Sequence, residues 1–273
     1  MSEIVLSAGI RSNLLQLQKT SDLITLTQTR LATGKRVNSA LDSPINFFTA
    51  AGLSNRANDL SNLLDSMSTA ISTIQAANNG ITSITKLVQS AQALVSQAQQ
   101  SSDDTVRAGL ATQFDAILAQ IDLLATDSGF NGINLLGGND LNVTLNEDGT
   151  SSVTVSAVDF TVGADLAVAN SANSWNTASP TDLTDAADDL TAALTTLRSQ
   201  AQSFGSNLST VQIRQDFTKA MINTLQSGAD NLTLADTNEE GANLLALQTR
   251  QQLSITALSL ASQASQAVLR LFQ

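Results

Sequence analysis

Apolar side chains recur at every seventh residue near the beginning of the chain, with one further leucine inside the repeat. A repeat of 3.5 residues per turn is typical of a helix that packs along its length against a partner helix. The pattern predicts a first helix over about 4–33, and Gly34 is a suitable residue to end it. The apolar row of this helix consists of Ile10, Leu14, Leu17, Ile24 and Leu31.

The last part of the chain, from Ala242 to Gln273, carries two apolar rows. The first row consists of Leu244, Leu247, Leu258, Ala261, Val268 and Phe272. The second row consists of Leu253, Ala257, Leu260, Ala264, Ala267 and Leu271. A closed monomeric bundle would need only one row, because one partner helix covers one stripe. Two rows therefore predict that the terminal helices pair and keep an apolar face for further copies of the chain.

The most regular repeat in the chain predicts a second helix over about 45–100. Its apolar row consists of Leu60, Met67, Ile74, Ile81, Val88 and Val95. From Leu60 to Gln100 this helix would be about 60 Å long at about 1.5 Å per residue, a length typical of coiled-coil bundles. Further helices are predicted over about 104–126, 180–232 and 237–273.

Between 140 and 162 the period of the apolar residues changes to two, which is typical of β-strands. The alternating residues are Leu141, Val143 and Leu145 before the turn Asn146–Gly149, and Val153, Val155 and Ala157 after it. This pattern predicts a β-hairpin, to which a third strand could be added by Val158, Phe160 and Val162.

These elements predict a mainly α protein: a long-helix coiled-coil bundle formed by the N- and C-terminal segments, with a small β-hairpin region in the middle. We expect two domains. Residues 1–35 and 240–273 would form a terminal helical coiled-coil domain. Residues 36–239 would form a long-helix bundle, with the hairpin near 140–162 and an exposed loop at 163–180.

Composition restricts the kinds of function. Aromatic residues make up 3% of the chain, so we expect an aliphatic core. The net charge of −11 argues against a nucleic-acid partner, which would require a basic stripe. The chain has no Cys and no His, the usual ligands of zinc and common nucleophiles or bases. We therefore predict that the protein is not an enzyme and that it has no catalytic residue, no metal and no cofactor.

The acidic clusters have simpler interpretations than acid–base or metal chemistry. Asp185, Asp188 and Asp189 fall in the first turns of a predicted helix, where the helix dipole favours negative charge. The Asn146–Gly149 segment lacks most ligands of a calcium loop and is interpreted as a turn.

No apolar stretch is long enough to cross a bilayer, so no membrane insertion is expected. Glu3 lies where a secretory signal carries basic residues. Any export is therefore expected to leave the N-terminus uncut.

Three short motifs add a resemblance to a known family. The first motif consists of Arg30, Leu31, Gly34, Asn38, Ser39 and Asp42. The second, after the third helix, consists of Phe130, Asn131 and Gly132. The third, at the start of the last helix, includes Asp236 and Glu240. In this order the motifs resemble those of bacterial flagellins, and the resemblance covers roughly 4–135 and 180–273.

The resemblance implies a subunit that polymerises with itself into the extracellular flagellar filament used for swimming. It implies export through the flagellar export apparatus, with an export chaperone and the junction and cap proteins as further partners. Flagellins commonly carry large outer domains in the middle of the chain. Here only about 45 residues separate Leu135 from Thr181, so the chain resembles a short flagellin without outer domains.

Two other functions remain open at this point. The segment Ser43–Phe48 replaces the usual aspartate-alanine-glycine run of the family, and the polar start typical of flagellins is missing. Both departures leave room for the hook–filament junction protein, a close relative with the same terminal helices. A secreted adhesin or glycan-binding protein is a third reading, although the chain lacks the aromatic cluster that usually binds sugars.

Overall fold

The computed structural model of the protein describes residues 8–169, 175 and 180–271. Its contacts divide the chain into two compact units. Unit 1 consists of residues 1–55 and 224–273, and unit 2 consists of residues 56–223. Unit 1 includes residues 1–35 and 240–273, the terminal domain expected from the sequence, and those narrower bounds stay a prediction.

Five α-helices make up most of the described chain, and the prediction of a mainly α fold is confirmed. They are α1 (Ala8–Thr33), α2 (Pro44–Gln100), α3 (Asp104–Asp127), α4 (Pro180–Thr233) and α5 (Thr237–Leu271). The predicted start of the first helix at residues 4–7 lies outside the described residues. Asp103 caps α3 by accepting hydrogen bonds from Thr105 N and Val106 N, which satisfies two backbone donors of its first turn.

The predicted β-hairpin is confirmed. Strand β1 (Leu141–Thr144) pairs antiparallel with β2 (Ser152–Val155). The third strand is not formed in this two-stranded sheet. Instead, Val158 N and Phe160 N donate to the carbonyls of Leu135 and Leu136, both at 2.9 Å. The chain then bends away, because the Asp159 carboxylate accepts from Thr161 N and Thr161 Oγ1.

The core of unit 2 is mostly aliphatic, as the composition predicts, with a few buried aromatic side chains. The heptad row of α2 is buried from Leu60 to Val95, with side chains at most 5% exposed. It is joined by buried side chains from α3, α4 and the hairpin, among them Phe114, Ile121, Leu190, Leu197, Phe204 and Val155. Trp175 is 1% exposed and packs its ring 4.9 Å from that of Phe114. The repeat that predicted the long helix therefore also identified its buried side.

Unit 1 is built on the pairing of α1 with α5. The two helices run antiparallel: Arg30 contacts Glu240 near one end, and Ile10 and Leu258 line the same groove near the other. The ends of α2 and α4 nearest to these helices complete the unit. The terminal segments thus pair with each other, as the two ends of the sequence predict.

Candidate functional site

The predicted pairing row of α1 faces α5 over most of its length. Ile24 is 9% exposed, and Ile10, Leu17 and Leu31 are half-buried. On α5, the first apolar row is half-buried at Leu244, Leu247, Leu258 and Ala261. This row is therefore the side of α5 that lies against α1.

The second apolar row of α5 points to solvent. Leu253 is 66% exposed and Leu260 is 62% exposed. The smaller residues Ala257, Ala264 and Ala267 in the same row are also exposed. Burial of one leucine side chain contributes about 1.5–3 kcal/mol, so a row of this kind favours contact with another apolar surface.

Several exposed apolar side chains on α1 and α5 were not singled out by the heptad pattern. They are Leu15, Leu23 and Leu26 on α1, and Leu245 and Ile255 on α5. Leu14, placed in the pairing row by the sequence, is 40% exposed and borders an open groove of about 470 Å³ with Ile10, Ile255 and Leu258. A search for apolar residues outside the heptad positions would have found these exposed side chains.

Three predicted residues lie at the end of α5. The helix includes Val268 and Leu271, whose side chains are not among those described, and Phe272 lies outside the described residues. That these three residues take part in contacts between subunits stays a prediction from the sequence.

An ion pair joins the first and third motifs. Arg30 Nη1 donates to Glu240 Oε1 at 3.0 Å, and the Glu240 side chain is 9% exposed. The carboxylate is thereby compensated where α5 packs on α1, since a buried charge without a partner would be costly. Asp236 begins α5 by accepting hydrogen bonds from Asn238 N and Glu239 N at 2.8 and 3.2 Å. The structure thus brings the motif residues Arg30 and Glu240 together.

The remaining residues of the first motif shape the turn after α1. Gly34 adopts a φ of 67°, which glycine tolerates without strain. Its carbonyl accepts from Ala235 N at 3.0 Å, and Arg36 N donates to Thr233 O at 2.7 Å. The turn is thus held to the segment between α4 and α5.

Asp42 stabilises the same turn with one carboxylate oxygen. Its Oδ2 accepts from Asn38 N and Ser39 N, both at 2.9 Å, and from Ser39 Oγ at 3.2 Å. The backbone hydrogen bonds from Ser39 and Asn38 lower the pKa of the Asp42 carboxyl below its usual range, because they favour the ionised form. Asn38, Ser39 and Asp42 therefore form one hydrogen-bonded unit.

Three exposed large apolar side chains lie in this turn and in the first turns of α2. Leu41 is 95% exposed, Ile45 is 80% exposed and Phe48 is 65% exposed. Ile45 and Phe48 belong to the segment that departs from the family pattern. The sequence shows this departure, but it does not show that the departure leaves an apolar cluster on the surface of unit 1.

The second motif is a tight hairpin turn in unit 2. Asn131 and Gly132 have φ values of 50° and 81°, as in a type I′ turn. Phe130 and Ile133 exchange two backbone hydrogen bonds of 2.9 and 3.0 Å on either side of it. The motif therefore fixes the backbone after α3, and Phe130 itself stays 42% exposed.

The arrangement offers surfaces for contact with other proteins. Among the described residues no three Asp or Glu side chains come close enough to hold a metal ion. In that same part of the chain, no helix has the length and hydropathy needed to span a bilayer. The features that stand out are the exposed apolar row of α5 and the apolar cluster of Leu41, Ile45 and Phe48.

Comparison with known proteins agrees with the motifs. The model of the bacterial flagellin N-terminal helical region matches residues 8–140, and that of the C-terminal helical region matches residues 187–272. Flagellin FljO of Caulobacter vibrioides is 30% identical over 276 residues, which span 100% of this chain and 99% of that protein. A Brucella melitensis flagellin is 28% identical over 284 residues, which span 100% of both proteins.

A crystal structure of Bacillus cereus flagellin is similar as well, with a TM-score of 0.48 and 18% sequence identity. The similarity covers 55% of this chain and 86% of that chain.

Proposed function

Since the chain belongs to the bacterial flagellin family, a family of filament subunits and not of enzymes, we propose that the exposed faces of α1 and α5 form its polymer contacts. The protein is a structural subunit of the extracellular flagellar filament, and motility is the activity it serves. The observation that supports the proposed contacts is the second apolar row of α5. Leu253 and Leu260 remain exposed after α5 has paired with α1.

In the proposed filament, the second row of α5 packs against the terminal helices of neighbouring copies. The row combines leucines with alanines, which allow two helices to approach closely along a seam. A head-to-tail contact between different surfaces repeats without closing and yields an open helical polymer. The pairing of α1 with α5 would therefore define unit 1 as the filament core domain.

The proposal can be tested by placing a charge in the second row. We expect Leu260→Asp to abolish polymerisation, because the contact would have to bury an unpaired carboxylate. Sedimentation of filaments after salt-induced assembly measures the effect, and circular dichroism of the monomer confirms that the helices remain.

A matched control places the same charge elsewhere on the same helix. Gln266 is exposed and lies outside both apolar rows, so Gln266→Asp should polymerise like the parent chain. Normal filaments from Leu260→Asp would remove the second row from the interface. Loss of filaments in both variants would show that an added charge prevents polymerisation wherever it lies on α5.

The two other functions considered from the sequence gain no support. The relatives that match over the full length are flagellins, and none of the observations favours a junction protein or an adhesin.

We further propose that the subunit is exported by the flagellar export apparatus with a chaperone bound, and that junction and cap proteins contact the filament ends. An apolar row such as that of α5 would promote premature association inside the cell, which a chaperone prevents by covering it. Secretion of the chain should therefore stop in cells that lack the export apparatus. Continued secretion there would contradict this route.

A further inference from the structure

We propose that a pocket between α1 and α5 binds a small oxyanion such as inorganic phosphate. The pocket has a volume of about 300 Å³ and lies within unit 1. One copy of the chain supplies the lining, so the site does not depend on polymerisation. The polar residues of this lining are Thr27, Arg30, Glu240, Asn243 and Arg250.

On the α1 side, the pocket contains a buried hydroxyl that makes no hydrogen bond within the described chain. Thr27 is 5% exposed, and among the described residues nothing pairs with its Oγ1 atom. Thr20, another buried threonine of α1, instead donates to the Gln16 carbonyl at 2.9 Å. Buried polar groups almost always have a hydrogen-bond partner. The hydroxyl of Thr27 therefore indicates that a hydrogen-bonding group occupies the pocket.

One helical turn after Thr27, Arg30 brings a fixed guanidinium to the same pocket. Its Nη1 atom donates to Glu240 Oε1 at 3.0 Å, which holds the side chain in place. Its Nε atom is buried and, in the described part of the chain, has no hydrogen-bond partner. A guanidinium has several N–H donors in one plane, so Arg30 can serve both Glu240 and a second acceptor.

On the α5 side, Asn243 and Arg250 add further donors. Arg250 is exposed and forms no ion pair with the residues that the structure describes. Among the described residues of the lining, Glu240 is the one acid and it faces two arginines, so the pocket has a net charge of +1. Unit 1 has equal numbers of acidic and basic side chains, whereas unit 2 is acidic. The pocket therefore lies in the unit that repels anions less.

An oxyanion suits this set of donors. Arginine presents its N–H groups in a planar fork that matches the oxygens of phosphate and carboxylate groups. A phosphate has several oxygens, so it can accept from Thr27 on α1 and from Arg250 on α5 at the same time. Such an ion would join the two helices. A ligand that binds only the paired helices stabilises their pairing.

Equilibrium dialysis with radiolabelled inorganic phosphate tests the site on the full chain, both free and polymerised. We expect saturable binding at a single site per chain. Thr27→Val keeps the shape of the side chain without its hydroxyl, and Arg250→Gln removes a positive charge. Each variant should weaken phosphate binding by about tenfold, as expected for the loss of a hydrogen bond to a charged group.

The matched control is Arg11→Gln, because Arg11 is an exposed arginine of α1 outside the lining of the pocket. This variant should bind phosphate like the parent chain. Ionic strength is held constant with NaCl, and phosphate and chloride are compared in every variant, since phosphate also strengthens apolar burial in general. Circular dichroism establishes that each variant keeps its helices.

A second measurement distinguishes binding from packing. Amide hydrogen exchange in α1 and α5 should slow when phosphate replaces chloride in the parent chain and in Arg11→Gln, but much less in Thr27→Val and Arg250→Gln. If Thr27 served packing alone, Thr27→Val would keep the full effect.

Two results would overturn the site. The first is the absence of saturable phosphate binding in both states of the parent chain, or equal binding by the parent chain and both pocket variants. The second is a loss of binding that Arg11→Gln shares, because phosphate would then respond to positive charge anywhere on the helices.

Discussion

At the scale of single residues, three carboxylates of this chain stabilise turns and helix starts through backbone groups. The carboxylates of Asp103, Asp236 and Asp42 each accept hydrogen bonds from backbone N–H groups at a helix start or a turn. Donors in these places have no partner inside the helix or turn, so an acceptor of the right length contributes to stability. Local structure therefore explains the positions of these three carboxylates.

Asp42 allows this interpretation to be tested by pH. Its carboxyl pKa is lowered in the folded protein, so its contribution to stability is present above the usual range near 4 and is lost as pH falls through the folded value. Asp42→Asn imitates the protonated side chain. We expect faster amide hydrogen exchange at Asn38 and Ser39 in the variant at neutral pH, with parent and variant converging in acid.

The matched control is Asp22→Asn, since Asp22 is an exposed carboxylate within the same unit. This substitution should leave exchange at Asn38 and Ser39 unchanged at every pH. Equal protection of the turn in the parent chain and in Asp42→Asn at neutral pH would contradict the assigned role.

At the scale of elements, a glycine makes possible a close contact between α2 and the segment that follows α3. Gly80 is buried in the middle of α2, where the end of α3 and the following segment pack against it. A Cβ atom at this position would lie 2.7 Å from Leu136 Cδ1, 2.8 Å from Ser128 Cβ and in direct collision with Ser128 Oγ. The glycine is thus required by the contact and not by the conformation of α2.

Gly80→Ala should therefore destabilise unit 2, although alanine favours a helix over glycine by about 1 kcal/mol. Overpacking of this kind costs about 1–3 kcal/mol, which exceeds the gain in helix propensity. Chemical denaturation followed by circular dichroism measures the change. Gly109→Ala is the control: nothing lies within 4 Å of its added Cβ in α3, so it should stabilise by about 0.5–1 kcal/mol. Stabilisation by both substitutions would show that α2 and the segment after α3 can move apart at Gly80 without a loss of stability.

The elements also show how far sequence patterns reach. The row of α2 predicted a long helix and its buried side, because burial in a bundle repeats with the period of the helix. The two rows of α5 predicted the helix but not which row lies against α1. The prediction of a third strand at 158–162 was wrong, because alternating apolar residues indicate an extended chain but not the strand with which it pairs. The cluster of Leu41, Ile45 and Phe48 was missed for a related reason. The segment 41–48 is too short to show a repeat, so the exposure of its side chains depends on the fold around it.

At the scale of the whole molecule, charge is divided unequally between the two units. Unit 1 holds seven basic and seven acidic side chains, whereas unit 2 holds six basic and 17 acidic ones. The whole net charge of −11 therefore belongs to unit 2. Copies that polymerise through neutral units must bring these acidic units near each other, and the repulsion opposes assembly.

Polymerisation should consequently strengthen as the NaCl concentration rises. The screening length falls from about 30 Å at 0.01 M to about 8 Å at 0.15 M, which suppresses repulsion between units while leaving apolar contacts intact. The critical concentration, measured by sedimentation across an NaCl series, should therefore decrease.

A variant with fewer charges distinguishes screening from other effects of salt. Asp185 and Asp188 are exposed near the start of α4, and replacing both by Asn reduces the net charge of unit 2. This variant should assemble at lower NaCl than the parent chain, because two negative charges per copy are removed. Assembly that weakens with NaCl in both proteins would mean that attraction between opposite charges, and not burial of apolar rows, drives the polymer.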